Sequence, residues 1–131
     1  MRTLYVVLVF TFFTACSAAT GNINEKNMSR AAADLLRLTY AVQGEIMRGA
    51  APGDDLLALA CGRDPALCAA VSEFHTSVKQ DGDNAVLLLC TRDGGRALLE
   101  DIGCTPQIDF KPWEKDDLPC VFTLNAADVC P

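Results

Sequence analysis

The chain is short of the side chains that most enzyme chemistry needs. It has one histidine, one tryptophan, and eleven basic residues against seventeen acidic ones. Any imidazole catalysis or imidazole–metal site must use His75. Glu73, two residues before it, would face elsewhere on a helix. No Gly-x-Ser-x-Gly elbow is present to raise a serine nucleophile. There is no Cys-x-x-Cys pair, and the separations of 7, 22, 14, 16 and 10 between the last six cysteines fit no zinc ribbon. Asp81-Gly82-Asp83-Asn84 opens like a calcium loop and then fails. Ala85 stands at the third ligand position, Val86 where glycine is required, and Arg92 at the closing acid. No dibasic pair marks a short peptide for release. The expectation is a protein without catalytic residues, metal or cofactor. Its acidic balance makes nucleic acid and anionic surfaces poor partners.

Long apolar runs are also scarce. The longest, Leu4 to Phe13, follows the single charge of Arg2 and precedes the small, polar stretch Thr14 to Ala19. That order is a secretory signal peptide over 1–19, with cleavage after Ala19. The run is about half the ~20 residues a spanning helix needs, so no transmembrane segment is expected. Phe13-Thr14-Ala15-Cys16 also resembles a bacterial lipobox. The alternative is therefore an envelope lipoprotein anchored through Cys16 and acting as an accessory or assembly factor.

What remains, residues 20–131, carries ten basic and seventeen acidic side chains, a net charge of −7, and six of the seven cysteines. Cys61, Cys68, Cys90, Cys104, Cys120 and Cys130 form an even set in an exported chain, which implies three disulfides. Fifteen pairings are open. Six cysteines on an exported helical chain resemble the insect odorant-binding proteins. However, those proteins need closely spaced second and third cysteines, and Cys68 and Cys90 are 22 apart. The saposin pattern and the phospholipase Cys-Cys-x-x-His-Asp motif are not met either, and no family is recognised.

Residues 20–28 are polar and aperiodic, a flexible leader. It holds Asn27-Met28-Ser29, a glycosylation sequon at Asn27 in a eukaryotic source. Ser29 is the expected cap of a first helix, whose buried stripe is Leu35, Leu38, Val42 and Ile46, widened by Leu36, Tyr40 and Met47, with Gly49 as stop. Asp54 caps a helix to Cys61. Asp64, followed by Pro65, caps a third whose stripe is Leu67, Val71, Phe74 and Val78. Ala85 to Cys90 is a continuous apolar run whose periodicity does not separate helix from strand. Its Leu and Ala content favours a helix. Arg96 to Ile102 reads as a further short helix.

Beyond Cys104 the periodicity stops, and Asn125 is the expected cap of a last turn. The expected fold is all-α, a small disulfide-stapled bundle of about five short helices with an irregular C-terminal extension, forming one domain over 29–131. Within that extension, Phe110 and Trp113 flank Pro112 beside Glu114-Lys115-Asp116-Asp117. An aromatic pair stiffened by proline and rimmed by charge is the chemistry of a partner contact. The expected function is a small secreted non-enzymatic binding protein acting through a surface or a small apolar pocket. It would serve as a carrier, an effector or a toxin-like ligand, with a protein or a small apolar ligand as partner.

Overall fold

Leu35, Leu38 and Val42 line the buried side of the first helix, α1 (Glu25–Met47), in a computed structural model that describes residues 25–131. Met28, Ala31 and Ala32 extend that side toward the N-terminus. Thus Ser29 lies inside the helix and does not cap it, and residues 25–28 of the expected leader are helical. Tyr40 and Met47 are exposed. The signal peptide and Cys16 lie outside the described residues.

Asp55, not Asp54, caps α2 (Leu56–Arg63) by accepting from Ala58 N–H. Asp54 closes the preceding turn on Ala51 N–H. Asp64 then caps α3 (Pro65–Ala70), as its position before proline implies. The helix ends eight residues short of Val78.

From here the all-α expectation fails. His75–Asp81 is a strand, β1, joined by a tight turn to β2 (Asn84–Cys90). Next come β3 (Ala97–Ile102) and the two-residue β4 (Asp109–Phe110). The four form an antiparallel sheet in the order β1-β2-β3-β4, and the fold is mixed α/β. Two short helices complete it, α4 (Lys111–Glu114) and α5 (Ala126–Val129).

The physical reason lies in what covers the sheet. Ala85, Leu87, Leu89 and Leu99 share a core with Leu35, Leu38 and Val42 of α1. On the opposite face, Val86 and Ile102 pack with Phe122 and Ala126, and Leu88 and Cys90 with Leu118, Cys120 and Phe122. A strand buried on both faces has no reason to alternate, so it reads as an unbroken apolar run. Propensity then misleads, because tertiary pairing decides the conformation. The turn carries the clue: Gly82-Asp83 separates the strands by two residues, with Gly82 at positive φ.

The six C-terminal cysteines form three bridges, Cys61–Cys68, Cys90–Cys120 and Cys104–Cys130. The first ties α2 to α3. The other two tie the sheet region to the tail that covers it. Gln43 of α1 reaches over Gly103, accepting from Ala85 N–H at 2.7 Å and donating to Asp83 O at 2.6 Å. A Cβ at Gly103 would stand 2.2 Å from the Gln43 Oε1, so a side chain there would push the Gln43 amide out of this crossing.

One carboxyl sits in the α1-facing core without a partner. Asp101 is fully buried, and neither carboxyl oxygen has a hydrogen-bond partner among the described residues. The Thr39 hydroxyl nearby donates instead to Leu35 O. Burial pushes the Asp101 pKa from 3.8 up to about 6, with Thr39 and the Ile102 amide pulling weakly the other way. The folded state therefore binds this proton more tightly than the unfolded chain. Its contribution to stability is full below pH ~4 and is lost as pH rises through ~6, by about 2–3 kcal/mol. In Asp101→Asn, the stability difference from wild type should grow in the variant's favour across that window, reaching about 1–2 kcal/mol at pH 7. Urea titrations at several pH values measure it, and parallel curves would refute it.

Candidate functional site

The candidate site is built from a buried charge outward. Glu100 lies in the middle of β3, opposite Leu88 of β2, and so on the tail-covered face. It is fully buried, and so is Lys111 at the start of α4. The Lys111 Nζ donates to Glu100 Oε2 at 2.9 Å, to Asp109 Oδ2 at 2.5 Å and to Thr123 Oγ1 at 2.6 Å. Three ammonium protons thus meet three acceptors. Burial alone would lower the Lys111 pKa. The hydrogen bonds to Asp109 and Glu100, and their charges, outweigh it and hold the amine above its ordinary value.

The Glu100 carboxylate is equally committed. It accepts from Thr123 N–H at 3.0 Å, Leu124 N–H at 2.9 Å and the Thr123 hydroxyl at 2.9 Å. A buried pair with its remaining valences filled in this way is a fixed point.

That fixed point sets the aromatic pair. Phe110 ends β4 opposite Leu99 and is half-buried in the α1-facing core. Lys111 follows, locked in place. Pro112 fits the first turn of α4, where its missing N–H is harmless. Trp113 then folds back onto Phe110, with ring centroids 4.4 Å apart and planes 13° from parallel. Its other face is open, leaving Trp113 77% exposed.

The segment beyond is held as well. Lys115 N–H bonds Lys111 O, Arg96 donates to Asp116 O, and Ala97 N–H bonds Leu118 O just before the Cys90–Cys120 bridge. Glu114, Lys115, Asp116 and Asp117, which follow Trp113 in the chain, are all exposed. The Lys115–Asp117 pair, 3.5 Å apart and solvated, contributes little. The arrangement offers a stacked aromatic surface followed in the chain by an exposed, mostly acidic segment.

The sequence brings Phe110 and Trp113 to notice, and the structure stacks them. It does not reveal Glu100, Asp109, Lys111 and Thr123 as their support. The available signal was Glu100-Asp101 interrupting an apolar stretch, which a helical reading places in solvent. His75 is exposed on β1, with Ser77 Oγ 3.5 Å from its Nε2. Asn27 is exposed in the first turns of α1. Among the described residues, no cluster of three or more His, Cys, Asp or Glu could hold a metal ion. No described helix is long and apolar enough to cross a membrane. No protein-family profile, curated protein or solved structure matches the chain.

If Lys111 holds the platform, Lys111→Met should cost about 3–5 kcal/mol, because Glu100 and Asp109 are left facing a methyl group. It should also release the Phe110–Trp113 stack, read as a change in tryptophan near-ultraviolet dichroism. A variant as stable as wild type with an unchanged spectrum would contradict the dependence.

Proposed function

We propose that the chain is a small secreted binding protein without enzymatic activity, and that it engages a protein partner through the Phe110–Trp113 surface. The supporting observation is the tryptophan itself. An indole left mostly in water, stacked on a half-buried ring and set on a clamped turn, loses little conformational freedom on binding and offers a large apolar face. Of the surface and pocket modes that the sequence allowed, the surface has this observation behind it. The three disulfides and the lack of a spanning helix among the described residues fit an extracellular location. The six cysteines are in bridges, and the one Ser–His contact among the described residues, Ser77 Oγ to His75 Nε2, is exposed and long at 3.5 Å, with no carboxylate hydrogen-bonded to the ring to orient it, which favours the non-enzymatic reading.

Two measurements test this. The mature protein's intact mass should correspond to a chain beginning near Thr20, and reduction should add six hydrogens. A chain beginning at Cys16 and heavier by an acyl modification would replace secretion with envelope anchoring. For the surface, immobilised wild type and Trp113→Ala are exposed to proteins of the surrounding medium and of cell surfaces. Trp113→Ala should unfold within about 0.5 kcal/mol of wild type, since the side chain is exposed. It should also fail to retain what wild type retains. Equal capture by both would remove Trp113 from the contact.

A further inference from the structure

We propose that the outer edge of β1 pairs with the same edge of a second copy, joining two four-stranded sheets into one antiparallel sheet of eight. The hydrogen-bond parity of the hairpin carries this. Asp81 and Asn84 are partners across a two-residue turn, so their backbone groups bond to each other. Going back along the strand, Lys79, Ser77 and His75 also bond inward to β2. The Gly103 N–H to Ala85 O bond fixes the same parity from the other side, since Ala85 bonds toward β3 and its neighbours toward β1. The N–H and C=O groups of Thr76, Val78 and Gln80 therefore point away from the sheet. No backbone or side-chain partner meets them among the described residues.

This edge lacks the usual protection. β1 is seven residues long, without proline, and the sheet's one register shift falls between Leu89 and Cys90 on the far side of β2. Its only lysine is turned away, with Nζ bonded to Leu124 O at 3.1 Å and 4.9 Å from the centre of the Phe122 ring. The opposite edge is different, since β4 is two residues long and runs directly into α4.

The occupant follows from symmetry and charge. A two-fold axis through Val78 is the one self-pairing that uses all three outward residues. Val78 meets Val78 of the second copy, and Thr76 meets Gln80 on each side of the axis, giving six main-chain hydrogen bonds. The same register sets Ser77 opposite Lys79 and His75 opposite Asp81. No like charges face each other across the axis. Val78, half-buried at the rim of the α1-facing core, would complete its burial against its own counterpart.

The test is the mass of the mature chain by light scattering and sedimentation from micromolar to millimolar concentration, together with amide exchange. The mass should double with concentration, and the amides of Thr76, Val78 and Gln80 should become protected in step. Gln80→Pro removes an outward donor at an exposed edge position where proline is tolerated, and should raise the dimer dissociation constant roughly tenfold or more. His75→Glu leaves the backbone intact, sets like charges opposite each other, and should raise it several-fold. A mass that stays monomeric throughout would overturn the pairing. So would a dimer indifferent to both variants, or β1 amides protected only by a different protein. None of these outcomes depends on Trp113.

Discussion

Everything in this structure follows from a sheet that must be covered twice. Strands β2 and β3 are buried on both faces, and among the described residues a long helix covers only one of them. The second cover is the largely irregular segment from Leu118 to Cys130, which lays backbone N–H and C=O groups onto apolar surface. Each such group costs free energy unless paired. The sheet meets this with side chains and edges of its own. Glu100 takes Thr123 and Leu124 N–H, Asp81 takes Ala126 N–H, Lys79 donates to Leu124 O, and Ala97 N–H bonds Leu118 O. Once Glu100 is buried for that purpose, its charge needs Lys111. Once Lys111 is fixed, α4 and its tryptophan are fixed with it. The exposed ring is thus the last link of a chain of requirements that begins with how β2 is buried.

The two long-range bridges act on the same weakness. Cys90–Cys120 and Cys104–Cys130 close loops of 30 and 26 residues between the sheet region and the tail. In the chain-entropy picture each contributes about 3.5 kcal/mol, the scale of several hydrogen bonds. Cys61–Cys68, closing 7 residues at the α2–α3 corner, does less for the whole and more for the local angle. A tail whose regular structure is the single short helix α5 would otherwise fray from Leu118 onward.

Legibility in the sequence divides along the same line. Elements whose residues face water on one side announced themselves. Leu35, Leu38 and Val42 gave α1, and Asp64-Pro65 gave the start of α3. The even cysteine count gave three bridges, though not which residues they join. Elements enclosed on both sides did not. Ala85 to Cys90 is apolar because α1 and the tail each take alternate residues, and that leaves no period to read. β1 was obscured for the opposite reason: His75 to Asp81 is polar, with Val78 as its one apolar residue, and its strand form comes from pairing with β2. Phe110 and Trp113 could be picked out as a pair from composition and proline spacing. Their stacking, and the lysine beneath them, depend on Glu100 being inside, which no local pattern reveals.

Glu100 and Asp101 show how far alternation alone can separate two like residues. Adjacent on β3, they point to opposite faces. Glu100 meets a tail rich in donors and has its carboxylate filled. Asp101 meets α1, where the one hydroxyl at hand is already bonded to Leu35 O. A leucine at position 101 would suit the surrounding core of Leu35, Leu38, Leu87 and Leu99. With aspartate there, the α1 face is at its most stable when the carboxyl is protonated. The tail face is built differently, since there Glu100 is paired with Lys111 and bonded by Thr123 and Leu124. The two sides of one sheet thus treat adjacent carboxyls differently, and the aromatic platform stands on the side where the carboxylate is paired.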